Sequence, residues 1–490
     1  MPPLPRLCAP RCSRPSDLSK LPQCYSLAKP TGAVILSGSE ESRQLRGSKG
    51  GILIQVTTRY TLPLGGVFIF NAFIALLLAF ASGAPTLDWS SWGGPNGNFA
   101  VDGQGLPASF GQGIPKVLWQ RSLGDGFSSI VTDGALLYTM YRRGNGEVVV
   151  AIDPATGDTR WEYGYDATFQ PGMVIAGYHQ EMGTGPYATP LIFDDRVYTI
   201  GVLGTMHAFD KKTGKAVWRK DLFKHFPANP SMVHGFAVSP IACKNTIIVK
   251  PGEQGHAIMA LNPNDGSLVW ERQNFTYTPS TPILIIVDGQ EQLVATFNGV
   301  VVGFDPDNGE LLWSQPPQGV KLDQARSNIP GYIISTPIWG PGNLLFTSSA
   351  GGGGASVLHL TQSAGKTKVE ELWYSNLMRV HYSNALRIGD YVYGSSGDSG
   401  PSPLTAINIR TGQVAWRDRT FGKANMVLAG EKVILLDEGG NLARVTLTPE
   451  GMNVRWNVQL LQGVAWTSST LVGTKLYIRD RRAIMALDLR

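Results

Sequence analysis

The sequence predicts an all-β chain closed into an eight-bladed β-propeller of four-stranded antiparallel blades. Three observations predict it: a strand–turn–strand repeat that ends in Trp, a hairpin ahead of the copies, and half-blades at the two ends of the array that complete one another.

The repeat comes first. A β-rich run ends A-x-D, a turn carries Gly, and a Trp stands eight residues after the acid. It reads AIDPATGDTRW at 151–161, AFDKKTGKAVW at 208–218, ALNPNDGSLVW at 260–270, GFDPDNGELLW at 303–313 and AINIRTGQVAW at 406–416. Two degenerate copies end at Trp373 and Trp456, and an eighth begins at Ala486 as ALDLR. Asp153, Asp210 and Asp305, or Asn in the other copies, can accept hydrogen bonds from backbone amides of the turn. Gly157, Gly214, Gly266, Gly309 and Gly412 take the positive φ that such a turn needs. Trp161, Trp218, Trp270, Trp313, Trp373, Trp416 and Trp456 each offer a wide flat surface to bury against the neighbouring sheet. A sheet with two apolar faces is not stable alone, and radial packing of blades covers both.

The hairpins read as a small-residue strand, a tight turn and a β-branched or aromatic strand. They lie at 189–200, 239–249, 336–346, 384–394 and 469–478. The final repeat has its hairpin and third strand but no Trp strand. KVLWQ at 116–120, centred on Trp119, is a Trp strand with no repeat before it. Joining them closes the ring and removes the open sheet edge.

Composition agrees: 43% of residues are hydrophobic and 16% charged, with 58 Gly, which excludes a coiled coil or a disordered chain. The net charge of +5 sits in the N-terminal stretch. Residues 1–60 hold nine Lys/Arg against three Asp/Glu, leaving −1 for the rest, so nucleic acid is not an expected partner. Only Cys243 lies beyond Cys8, Cys12 and Cys24, and there is no CxxCH for haem.

The run VFIFNAFIALLLAFA at 67–81, with Arg59 upstream and Ala79-Phe80-Ala81 as an A-x-A site, reads as a secretory signal within 56–84. The expected location is periplasmic or secreted, with membrane contact only through this segment if it is not cleaved. No lipoprotein cysteine follows it. Residues 1–55 are expected to be a disordered extension, or to precede the true start at Val56. Residues 85–115 form a lead-in, and 116–490 the propeller.

On these residues the chain resembles the pyrroloquinoline-quinone-repeat propellers of the quinoprotein alcohol dehydrogenase-like superfamily, whose Trp-docking motif is A-x-D-x-x-T-G-x-x-x-W. WSSWGGPNGN at 89–98, KVLW and the G-x-G-x-S-S stretch at 124–129 resemble a secreted bacterial subfamily. Its usual opening carries two Arg that are missing around Gly93-Gly94-Pro95-Asn96. The resemblance implies the fold. Many relatives keep the docking motif without binding a quinone, the outer-membrane assembly-factor propeller among them.

Ligands of a propeller sit on its axis or in the loops leading there. Just ahead of the innermost strands stand His179, Glu181, Tyr187, His234, Tyr277, Arg326, Asn328, Arg379, His381, Asn384, Asn425 and Trp466. The competing structural expectation is that such side chains bond neighbouring strands. A quinone dehydrogenase needs Ca²⁺ on carboxylate and amide oxygens and a base Asp. Funnel acids are scarce: Glu181, Asp323 and Asp398. The expected function is therefore a binding scaffold for a protein or small-molecule ligand outside the cytoplasm, without catalysis. The alternative is a dehydrogenase using pyrroloquinoline quinone (PQQ) with Ca²⁺ to oxidise an alcohol or sugar.

Overall fold

The computed structural model describes residues 88–103, 106–169, 183–224, 234–316, 333–350, 353–397, 400 and 402–490, together with three earlier strands. The chain divides into two units, Met1–Ser82 and Gly83–Arg490. In the first, Glu41–Arg46, Ile52–Thr61 and Val67–Ile74 form an antiparallel sheet in chain order. The apolar run read as a secretory signal thus enters a strand as far as Ile74, while its A-x-A site lies outside the described residues.

The second unit is an all-β ring of eight four-stranded antiparallel blades, with no helix among the described residues. From innermost to outermost strand, blade 1 runs from Val131–Thr132 to Thr159–Asp166 and blade 2 from Leu191–Phe193 to Ala216–Asp221. Blade 3 runs from Ile241–Cys243 to Leu268–Arg272, blade 4 from Ile283–Val287 to Leu311–Gln315, and blade 5 from Ile338–Gly340 to Lys366–Ser375. Blade 6 spans Ala385–Ile388 to Val414–Asp418, and blade 7 Ala424–Ala429 to Gly451–Gln459. Blade 8 begins at Thr470–Val472, and its outermost strand is Lys116–Ser122, paired with Ala483–Asp488 so that Trp119 faces Ala486. The half-blades at the two ends do complete one another.

The repeat works as its residue types require. Ala151 faces Trp161, Ala208 faces Trp218, Ala260 faces Trp270 and Ala406 faces Trp416, each with a register shift immediately after the small residue. Asp153 Oδ1 accepts from Ala155 N (2.7 Å), and Asp210 Oδ1 from Thr213 N (2.8 Å). The turn Gly then carries the next blade's docking surface. A Cβ on Gly214, at φ +72°, would lie 2.5 Å from the ring of Trp161 on the preceding blade. Gly157, Gly266, Gly309 and Gly412 stand the same way against Trp119, Trp218, Trp270 and Trp373. The indole nitrogen completes the dock: Trp161 Nε1 donates to Lys211 O (3.0 Å) and Trp218 Nε1 to Pro263 O (2.9 Å).

The degenerate copies are handled differently. Blade 5 lacks the Asp-and-Gly turn, so Trp313 donates to Gln292 Oε1 of its own blade (2.7 Å), and Gln292 Nε2 donates onward to Thr367 of blade 5 (2.7 Å). The indole occupies the space where Gly303 would carry a Cβ, 2.1 Å away, which explains GFD where the other full copies have Ala. Trp456 of blade 7 meets no such turn in blade 8 and donates to Gly111 O of the lead-in (3.0 Å).

The lead-in also crosses the ring. Trp89 and Thr132 of blade 1 exchange both backbone bonds (2.8 and 3.0 Å), and Ser90 O accepts from Ile192 N of blade 2 (2.7 Å). Trp92 Nε1 reaches Thr336 ahead of blade 5 (2.8 Å), while Ala100–Val101 pairs in parallel with Leu428 and Ala429 of blade 7. Thr132 and Ala429 end their strands, whereas Thr336 stands two residues ahead of the first strand of blade 5, so the segment touches both ends of the innermost strands.

Candidate functional site

The entry loops first tie the blades together. Thr189 N donates to Ser239 Oγ (2.9 Å), Ser239 N to Thr281 Oγ1 (3.2 Å) and Thr470 Oγ1 to Ile130 O (2.6 Å). Asn384 Nδ2 donates to Met426 O (2.7 Å), and Met426 N returns a bond to Asn384 Oδ1 (2.8 Å), joining blades 6 and 7. Asn425 Nδ2 donates to Trp466 O (2.9 Å), joining blades 7 and 8, while its Oδ1 accepts from Asn384 N (3.0 Å) and adds a further link between blades 6 and 7. The Tyr277 hydroxyl accepts from Ala237 N (3.0 Å), and its buried ring packs on Phe236. These three candidates build the wall of the funnel.

A second set lies beside it. Phe127, Tyr187, His381 and Trp466 each stand four residues ahead of an innermost strand, in blades 1, 2, 6 and 8. Ring closure brings them into one row. Tyr187 lies near-parallel to Phe127, with centroids 6.3 Å apart. Phe127 is 5.5 Å from Trp466, Trp466 is 5.3 Å from Tyr382, and Tyr382 is 4.2 Å from His381. Burial pushes the Tyr187 phenol up, so it remains a neutral donor to Gly183 O (3.0 Å).

Charged groups flank the row. Lys423 Nζ sits 4.7 Å from the centre of the Tyr382 ring and 5.6 Å from that of Trp466. Glu438 accepts from Trp466 Nε1 (3.0 Å) through one oxygen and from Lys423 N (3.2 Å) through the other. Asp125 holds Arg481 by two bonds (2.5 and 2.6 Å), which keeps that guanidinium firmly protonated.

Of the other candidates, Arg379 is exposed, and Ser396 Oγ accepts from its backbone amide (2.9 Å); His234 is half-buried ahead of blade 3. His179, Glu181, Arg326 and Asn328 lie outside the described residues, as do Asp323 and Asp398. Phe127, Lys423 and Glu438 were missed. Phe127 stands at the same offset as Tyr187 and Trp466, and that offset was the available signal. Glu438 and Asp125 are already bonded as above, and no group of three His, Cys, Asp or Glu among the described residues is placed to hold a metal ion.

The family model PQQ_2, described as "Outer membrane protein assembly factor BamB", matches residues 144–418, more than half of the chain. The chain belongs to this family. Among named relatives, the outer membrane protein assembly factor BamB of Moranella endobia is 25% identical over 263 residues, 52% of this chain and 63% of that protein. The match therefore spans less than two thirds of that relative. The Yersinia pestis BamB is 23% identical over 289 residues, 58% of this chain and 68% of that protein. The quinoprotein alcohol dehydrogenase PedH of Pseudomonas putida is 28% identical over 147 residues, 28% of this chain and 24% of that protein.

Two solved structures share the fold. BamB from Moraxella catarrhalis has a TM-score of 0.53 at 18% identity, covering 76% of this chain and 100% of that one. The quinohemoprotein alcohol dehydrogenase from Comamonas testosteroni has 0.56 at 14%, covering 84% and 81%. An assembly factor and a dehydrogenase are thus built on the same PQQ_2-type ring, and the fold does not choose between them.

Proposed function

We propose that this PQQ_2 propeller is an exported binding scaffold that takes a ligand or a protein partner through its funnel and performs no redox chemistry. The observation that carries this reading is the aromatic row from Tyr187 to His381, whose flanking carboxylates are already engaged in the fold. The row is an aromatic recognition surface with a few oriented polar groups, and no group of three His, Cys, Asp or Glu among the described residues is placed to hold a metal ion. Relatives named as outer membrane protein assembly factors favour a protein partner. The signal segment at 56–84 would deliver the chain out of the cytoplasm, with contact to the membrane only while that segment is attached.

The test adds PQQ and Ca²⁺ to the purified full chain and follows melting temperature and dye reduction, alongside cross-linking capture of partners from an envelope extract. The expected outcome is no thermal shift, no dye reduction and a captured partner. A shift of several degrees at saturating cofactor, accompanied by alcohol-dependent dye reduction, would establish the dehydrogenase reading instead.

A further inference from the structure

We infer that the base of blade 4, where its first two strands turn, is a docking surface for a basic, amphipathic segment of a partner protein. The partner lays apolar side chains on Leu284 and Ile286 and sets Lys or Arg against Glu291 and Asp307. This surface is separate from the aromatic row, so its fate does not depend on the funnel reading.

The first strand of blade 4 reads ILIIV, aliphatic throughout. Side chains alternate along a strand, so Ile285 and Val287 face one way and Leu284 and Ile286 the other. Ile285 and Val287 are buried with Leu345 and Leu358 of blade 5. Leu284 stands opposite Leu293, which packs with Ile248 and Ala260 of blade 3. The first strand of blade 3 has 3 residues against 5 in blade 4, so the longer strand outreaches its neighbour. Leu284 is 44% exposed and Ile286 58%. A solvated sheet face ordinarily carries polar side chains, and here it carries two large aliphatic ones. Elsewhere the lead-in meets the base of the ring, at Thr132 of blade 1, Ala429 of blade 7 and Leu489 of blade 8.

The rim selects the partner's charge. Glu291 stands opposite Ile286 in the register and is exposed. Lys244, at the hairpin turn of blade 3, lies 3.7 Å from Glu291 and also pairs with Asp307 of blade 4. One cation between two carboxylates leaves a net negative charge beside the aliphatic pair. Asp288, at the turn of the same hairpin, accepts from Gln362 N (2.9 Å) and Asn343 Nδ2 (2.7 Å), which hold its carboxyl below the usual range. Arg272 and Glu310 pair with each other and cancel. An acidic rim around aliphatic side chains repels anionic surfaces and complements Lys or Arg set among apolar residues.

The experiment titrates the full chain into dye-labelled octapeptides of alternating Lys and Leu, of alternating Glu and Leu, or of Lys alone, and follows fluorescence anisotropy. The Lys-Leu peptide is expected to bind with a Kd on the order of 0.1 mM, and the other two about tenfold more weakly. Replacing both aliphatic residues, Leu284→Thr with Ile286→Thr, should weaken binding about tenfold. The melting temperature should not change, because both side chains are already exposed. Glu291→Lys should weaken the Lys-Leu peptide and strengthen the Glu-Leu one. If the double variant does not fold, Glu291→Lys carries the comparison.

No anisotropy change with the Lys-Leu peptide at about 1 mM overturns the inference, as does binding indifferent to these substitutions. Equal affinity for the Glu-Leu peptide overturns the charge argument and with it the proposed partner. Sedimentation of the chain alone at about 0.1 mM covers the remaining occupant. A dimer that the double substitution dissolves would assign the face to a second copy of this chain instead.

Discussion

His207 shows how one side chain can set a pH response. It is fully buried on the third strand of blade 2, packed on Tyr163, Tyr165 and Phe209, and faces Arg219 across the strand pair. Burial, helped by Arg219, drives the imidazole down to about 4 from an ordinary 6.5. Between those values the unfolded chain takes up a proton that the folded chain refuses, so stability falls as pH drops through that window and is level above it. The His207→Phe variant should lose this slope. Urea unfolding at pH 7.5 and pH 4.5 should show the wild type losing about 3 kcal/mol more than the variant. An identical pH dependence in both would place the imidazole in contact with water. None of this was legible in the sequence, where His207 sits between Met206 and Ala208 as one more strand residue.

The blade is the unit that the sequence spells out, because its signals are local. Asp153, the turn and Gly157 lie within five residues, so their chemistry appears in the string itself. The same contacts make a test of docking. Gly214→Ala puts a methyl into the Trp161 ring, whereas Gly289→Ala, at φ +91° with nothing within 4 Å, meets only backbone strain. The first should cost about 3 kcal/mol and the second about 1 kcal/mol. Equal losses in thermal melts would mean that the dock tolerates a displaced indole.

The site was less legible than the blades. Tyr187, His381 and Trp466 were singled out one by one from their positions ahead of strands, but nothing local tied them to one another or to Phe127. Tyr277, Asn384 and Asn425 proved to be wall-builders, since a polar group beside a strand end satisfies a neighbour's backbone as readily as it would a ligand. Seen as elements, the entry loops do two jobs at adjacent positions.

At the scale of the molecule, the closure of blade 8 on blade 1 decides everything else. Arg479 is fully buried there. It donates to Ser128 O, Met140 O and Gly126 O (2.9 Å each), to Thr139 Oγ1 (2.9 Å) and to Asp480 O (3.3 Å). The Arg479→Leu substitution strands these acceptors and should cost about 3–5 kcal/mol. Hydrogen exchange should rise first in Lys116–Ser122, and deletion of 116–120 should open the ring outright. Uniform exchange across all blades in Arg479→Leu would show that closure is not the weak seam.

The shared strand also sets a timetable. Arg479 and Ser128 are 351 residues apart, so during synthesis the Trp119 strand emerges early and waits, its edge unmatched, until nearly the whole chain has followed. For that interval it is a sticky end, exposed to pairing with a second nascent copy. Slow, concentration-sensitive refolding follows from this order of assembly, and a holding chaperone that shields residues near 116–122 is the help that such a chain would need.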